Sequence, residues 1–233
     1  MDGAAMQMLT EQDAGRDLGL GEYGLLPVPG TAPTLLDVRA QKTLDGLVRL
    51  AASICGVPYS VVNIITSEQQ VQIAASGIDP GICSREDSMC ATVFLNRGTT
   101  VVRDASHDPR FAANPFVTGE IADVRFYASV PLQTSGGLVL GSLCVFSNKA
   151  ELPTQEQIGL LEDLAEQVVE LLELQHRTLQ LNTVMEELER SNAMLAEFAG
   201  RVSHDLRTPL TTILGYVELA EDDPQIPPGH PAE

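Results

Sequence analysis

The densest group of reactive side-chain types in this 233-residue chain is Ser203-His204-Asp205-Leu206-Arg207-Thr208-Pro209. A neutral imidazole with one nitrogen lone pair free is a nucleophile for phosphorus, and a carboxylate accepting the other nitrogen's N–H fixes the tautomer that frees it. His204 and Asp205 supply that pair in adjacent positions. Thr208 follows four residues after His204 and falls on the same helix face. Arg207 reads either as a partner for a carboxylate or phosphate or as a solvated charge. Pro209 removes the backbone bond to residue 205, so a bend is expected one turn past the histidine. The other histidines carry less. His107 reads as a loop hydrogen-bonder before Asp108-Pro109, and His176 and His230 as solvent residues. No pair of histidines has metal-ligand spacing, so no metal site is expected.

Four cysteines, at 55, 83, 90 and 144, form no C-x-x-C pair and sit mostly in apolar segments. They read as reduced, partly buried thiols. Cys83 and Cys90, close in sequence, leave room for a redox role.

The histidine must be held by a helix. Thr154 with Gln157 three residues on has the capping-box arrangement, and apart from Gly159 no helix breaker appears until Gly200. Leu161, Ala165, Val168 and Leu172 keep helical spacing, as do Leu181, Val184, Leu188, Leu195, Phe198 and Val202. The second series occupies a and d positions, with Ser191 the polar exception, and this puts His204 at c, off the seam and facing solvent. A seam on one long helix cannot bury itself, so a parallel homodimer is expected. The two series do not share one phase between Leu172 and Leu181. That admits a stutter in the supercoil or a change of partner face, and the stutter is the preferred reading. Past Pro209, a stripe of Leu210, Ile213, Leu214 and Val217 continues to about residue 222.

Upstream the periodicity predicts a helix over about 35–55 and strands at 59–66, 69–75, 99–103, 126–133 and 138–146. A short helix follows a cap at Asp87 or Ser88. Thr134-Ser135-Gly136-Gly137 is a hairpin signal. The fold class is α+β, with an antiparallel sheet flanked by helices and followed by a long dimeric coiled-coil helix. The expected organisation is a flexible arm over 1–33, a sensor domain over 34–150, a coiled-coil signalling helix over 151–197, a histidine-bearing helix over 198–222 and a disordered tail over 223–233.

The order of Val101-Val102-Arg103-Asp104-Ala105, Asp108-Pro109-Arg110-Phe111, Arg125-Phe126-Tyr127-Ala128, Pro131-Leu132 and Gly141-Ser142-Leu143-Cys144-Val145 resembles a GAF domain, a sensing module. The string from Phe198 to Leu210 resembles the H-box of two-component sensor histidine kinases. The resemblance implies that Nε2 of His204 accepts a phosphoryl group and that Asp205 is the general base or orienter. It also implies that Thr208 positions water when the response regulator is dephosphorylated. The chain is then the sensory and phosphoacceptor portion of such a kinase. GAF ligand state would pass through a dimeric helix to His204 and on to a response regulator.

The second helix of the phosphotransfer hairpin and the ATP-binding domain are not found in the sequence. An ATP-dependent histidine kinase is resembled, but this chain alone should not be active. ATP and Mg are expected only through a catalytic domain acting in cis or in trans, and no other cofactor is expected in the chain. Related GAF domains hold bilins, haem or cyclic nucleotides. Cys90 is followed by Ala91 where bilin-binding relatives have His, and His107 is a poor axial ligand. Two alternatives stay open: a GAF-type ligand-binding or dimerisation module without phosphotransfer, and a thiol-based redox protein, although the cysteine spacing does not match that of GAF-fold methionine sulfoxide reductases.

Composition sets the outer bounds. A net charge of −18 without a basic cluster argues against a nucleic-acid partner and disfavours anionic membranes. With 44% hydrophobic residues a sizeable core is available. The longest apolar run, Leu138–Phe146, is far short of the roughly 20 residues of a spanning helix, and the first residues carry no secretory signal. No membrane insertion and a cytoplasmic location are expected.

Overall fold

The computed structural model describes residues 3–26, 36–96 and 98–221. In chain order the elements are α1 (Gly3–Glu22), α2 (Val38–Cys55), β1 (Tyr59–Ile65), β2 (Gln69–Ser76), β3 (Ile82–Ser84), α3 (Met89–Val93), β4 (Thr100–Val102), a 3₁₀ turn (Ala105–His107), α4 (Pro115–Thr118), β5 (Phe126–Gln133), β6 (Val139–Ser147) and α5 (Gln155–Glu221). The chain divides into two compact units, Met1–Thr178 and Leu179–Glu233.

The first unit is built on a six-stranded antiparallel sheet of order β3-β2-β1-β6-β5-β4. Its elements start and stop where local chemistry dictates. Asp37 accepts the Ala40 N–H at 2.8 Å to begin α2. Gly56, at φ +68°, ends α2 in the left-handed conformation that glycine adopts without a Cβ penalty. Ser88 caps α3 through the Ala91 N–H at 2.9 Å. Strand side chains then alternate between two apolar layers, as the period of two requires.

On one face Val62, Ile64, Phe126, Leu143 and Val145 are covered by Leu44, Val48 and Ala51 of α2. The same layer takes in Leu20, Leu25 and the α5 residues Leu161, Ala165, Val168 and Leu172. On the other face Val61, Ile65, Tyr127 and Cys144 meet Met89, Cys90, Val93, Phe94, Phe111, Val117 and Val124. Each fully buried aliphatic or aromatic side chain in these layers contributes roughly 1.5–3 kcal/mol. The irregular segment over the second face is stitched by polar bonds. Asn114 donates to the Asp87 carbonyl at 2.7 Å and accepts the Phe116 N–H at 2.9 Å. Arg125 donates to the Val117 and Val124 carbonyls, each at 3.0 Å, and Arg110 pairs with Asp108 through two bonds of 3.0 and 2.6 Å.

Four expectations change. The segment read as a flexible arm contains α1, whose Arg16, Leu20 and the following Leu25 are buried. Arg16 donates to the Ile65 carbonyl, pairs with Asp13 at 3.2 Å and lies 5.0 Å over the Phe94 ring. A charged residue inside the buried set hides the apolar period. The boundary at residue 150 is also too early, because α5 as far as Leu172 completes the sheet's first layer. For the same reason the break near Leu172 is a change of partner face and not a stutter: the earlier series packs on its own sheet, while the later one, from Leu181 to Val202, is exposed. The coiled-coil reading therefore does not apply to residues 155–172. Finally, His176 is not a free solvent residue, since its ring stacks on Tyr23 with centroids 4.1 Å apart. Residues 27–35, the 223–233 tail and His230 lie outside the described residues.

In the second unit α5 continues as helix through Pro209. Among the described residues no helix is long and apolar enough to cross a membrane.

Candidate functional site

In the helical unit, His204 and Asp205 project into solvent with side chains 81% and 80% exposed. The imidazole Nδ1 lies 3.2 Å from Asp205 Oδ1. The neutral tautomer protonated at Nδ1 donates to that carboxylate and leaves the Nε2 lone pair open to an incoming electrophile. The Thr208 hydroxyl, one turn on, donates to the His204 carbonyl at 3.4 Å, which leaves its oxygen lone pairs available on the histidine's face of the helix. These three residues are brought together as their spacing implied.

A second site lies in the sheet unit. Between β1, β2, β6 and α3 is a cavity of about 40 Å³ lined by Val61, Asn63, Gln70, Cys90, Tyr127 and Cys144, among others. That volume is far below the roughly 300–1,000 Å³ of drug-sized ligand pockets, and suits a water or a ligand of a few heavy atoms. In this conformation it does not admit a ring system such as a bilin or haem. Backbone geometry brings Asn63 here. The β1–β2 register shifts between Val62 and Asn63, and a bulge of this kind redirects the side chain beside it. On the other side, Ile64 pairs with Gly141 of β6, where a Cβ would stand 1.8 Å from the Asn63 carbonyl oxygen. Asn63 is fully buried and donates to Cys90 Sγ at 3.1 Å and Cys144 Sγ at 3.5 Å, while its Oδ1 has no partner. A buried, unpaired amide oxygen on a residue that lines a cavity is an acceptor awaiting a donor. The only signal for Asn63 in the sequence was a polar residue interrupting an apolar strand, Tyr127 stood only within the Arg125–Ala128 string, and none marked Gln70.

The cysteines are paired differently from their sequence order. Cys90 lies beside Cys144, whereas Cys83 sits on β3, where burial and the Asp87 charge push its thiol up to about 11. His107 is exposed and lies 3.2 Å from Asp104, in the turn and not in the cavity. Among the described residues no group of three or more His, Cys, Asp or Glu could hold a metal ion.

Residues 39–172, more than half of the chain, match the GAF domain family. The chain belongs to that family. Behind the GAF domain, residues 194–231 match the His Kinase A (phospho-acceptor) domain, a stretch that contains His204, Asp205 and Thr208. A cyclic di-GMP phosphodiesterase of Pseudomonas aeruginosa is 38% identical over 136 residues, which cover 58% of this chain and 23% of that protein. The cell-division control histidine kinase PdhS of Brucella anthropi is 41% identical over 44 residues, 19% of this chain and 4% of that one. The chain thus spans less than a quarter of the length of these curated relatives. Among solved structures, the blue-light absorbing form of the PixJ GAF domain from Thermosynechococcus elongatus matches with a TM-score of 0.51 at 12% identity, covering 65% of this chain and 94% of that one. At that identity the likeness is one of fold. The whole is a GAF domain followed by a phosphoacceptor region of the two-component histidine-kinase type.

Proposed function

We propose that the GAF domain reports its ligand state to His204 and that His204 is the phosphoacceptor of a two-component relay. The observation that carries this reading is the Nδ1 contact with Asp205, at 3.2 Å, in an exposed pair inside the phosphoacceptor region. Nε2 attacks the γ-phosphorus of ATP, the bond to the bridging oxygen breaks and ADP leaves. Asp205 stabilises the imidazolium that forms by accepting its Nδ1–H. ATP and Mg are brought by a kinase catalytic domain, in cis or in trans, and a response regulator takes the phosphoryl group onward. Thr208 positions water for a separate step, hydrolysis of the regulator's phosphoryl group, which leaves as inorganic phosphate.

A homodimer is part of this proposal. Leu181, Val184, Leu188, Leu195, Phe198 and Val202 are between 39% and 64% exposed in the single chain. Large apolar side chains in one continuous helical stripe favour a second copy as cover. Ligand binding would act by favouring one of two helix rotations or registers, to the extent of its differential affinity for them.

The test is acid-labile phosphorylation of the chain mixed with ATP, Mg and the catalytic domain of a related histidine kinase. Wild type is expected to label, His204→Gln to lose the label entirely, and Asp205→Asn to label about 10²-fold more slowly. Equal labelling of wild type and His204→Gln would overturn the assignment.

A further inference from the structure

The second face of the GAF sheet holds a group of side chains that phosphotransfer does not use. Cys90 Sγ and Cys144 Sγ are 3.0 Å apart, and both residues are buried. Around Cys144 Sγ stand the hydroxyls of Ser142 at 3.2 Å, Ser129 at 3.4 Å and Tyr127 at 3.7 Å, with the Asn63 amide N–H at 3.5 Å. In the thiol form Cys144 donates to Ser129 Oγ, while the Ser142 and Tyr127 hydroxyls can turn their protons toward a thiolate and the Asn63 amide donates, so three donors besides Cys90 converge on one sulfur. The 40 Å³ cavity is lined by both cysteines and by Asn63, whose buried Oδ1 has no hydrogen-bond partner among the described residues.

We propose that Cys90 and Cys144 form a reactive dithiol that a small hydroperoxide, admitted to this cavity, oxidises to a disulfide. Cys144 is the attacking residue. Its sulfur, as thiolate, attacks one oxygen of the hydroperoxide and the O–O bond breaks. The other oxygen leaves, takes a proton and departs as alcohol, or as water when the oxidant is hydrogen peroxide, and Cys144 becomes a sulfenic acid. Cys90 then attacks the sulfenic sulfur, its proton joins the departing hydroxide as water, and the S–S bond closes. The two cysteines lose two electrons and two protons, and the hydroperoxide is reduced by the same two electrons.

Three features support this order of events. Closing the sulfurs to about 2.05 Å needs a shift of only about 1 Å, at the N-terminal turn of a five-residue helix. Burial pushes the Cys144 thiol up, but the hydrogen bonds from Cys90, Ser129, Ser142 and Tyr127 outweigh it and bring it down to about 7, while the bond to Cys144 and burial push Cys90 up. Cys55 is raised by burial alone and has no such ring of donors among the described residues. The buried Asn63 oxygen can accept the hydroperoxide's O–H and hold it in the cavity. This chemistry is independent of phosphate on His204, so it stands or falls separately from the relay.

The experiment uses the full chain, reduced and then exposed to equimolar hydrogen peroxide, alkylated under denaturing conditions and mapped by peptide mass spectrometry. The expected first product is a Cys90–Cys144 linked peptide, reversible by dithiothreitol. Cys144 should be consumed at least about tenfold faster than Cys83, because its larger thiolate fraction exceeds the accompanying loss of nucleophilicity. Cys90→Ser should halt at a dimedone-reactive sulfenic acid on Cys144, a product that oxidation at Cys83 would not give. The wild-type map needs no variant. Oxidation of all four thiols at one rate, a first disulfide that includes Cys55 or Cys83, or free Cys90 and Cys144 after Cys83 has reacted would each overturn the proposal.

Discussion

Leu161, Ala165, Val168 and Leu172 lie on the same helix as Leu181, Val184, Leu188 and Leu195, with comparable spacing and residue types. The first four are at most 3% exposed and the second four at least 60% exposed. The difference lies in what each turn finds beside it. The early turns meet the apolar face of a sheet that their own chain has already supplied, whereas the apolar side chains of the later turns are exposed. Amphipathic spacing therefore specifies that a face will be buried, without specifying by what. In the GAF domain the partner is intramolecular, and for the later stripe it is the second copy proposed above.

The sharpest way to break this comparison is to truncate one leucine on each side. Leu143→Ala, in the fully buried layer under α2 and α5, should lower stability by about 2–5 kcal/mol in urea titrations read from the GAF domain. Leu188→Ala should leave that transition within about 0.5 kcal/mol while raising the dissociation constant of the dimer measured by light scattering. Equal losses of GAF stability from both substitutions would mean that the two stretches are not different in kind.

A smaller effect concerns where α5 joins the core. Thr154 accepts the Gln157 N–H at 3.1 Å, Gln157 returns a bond to the Thr154 N–H at 2.9 Å, and Gln157 also donates to the Ile54 carbonyl at 2.8 Å. Thr154→Ala should cost about 1 kcal/mol in the same titration and leave dimer affinity unchanged.

The smallest is a pH effect confined to the GAF domain. The Arg110 guanidinium holds the Asp108 carboxyl below the usual range, and the Ser106 hydroxyl does the same for Asp104. Folded-state acidities lowered in this way add stability above the unfolded carboxylate value of about 3.9, and that stability is lost as pH falls through the lower folded values. The GAF transition should weaken below about pH 4, and Asp108→Asn should flatten that slope. Identical acid slopes for the variant and wild type would remove Asp108 from the account.

These contrasts also explain what could be read in advance. The β-branched apolar run over Tyr59–Ile65, Val71 and Ile73 on one face of the next strand, the helical period through Leu44 and Val48, the hairpin glycines and the Thr154–Gln157 box are local signals, and the structure carries all of them. The neighbouring pair His204 and Asp205 was legible for the same reason. Strand β3, at three residues, is too short to show a period. Helix α1 was hidden because the charged Arg16 is buried beside Leu20 while the apolar Leu18 is exposed. The Cys90–Cys144 contact joins residues 54 apart, and the packing of α3 on β6 brings them together, so sequence proximity pointed to Cys83 instead.

Gly141 bears on which sequences can keep this sheet. Its strand passes so close to the Asn63 backbone that the packing partner at that position is another main chain, not a side chain. A methyl group there would part β1 from β6 beside the two sulfurs. Drift toward any larger residue at 141 is therefore closed to a protein that retains this arrangement, even though neighbouring strand positions can exchange one apolar side chain for another of similar volume.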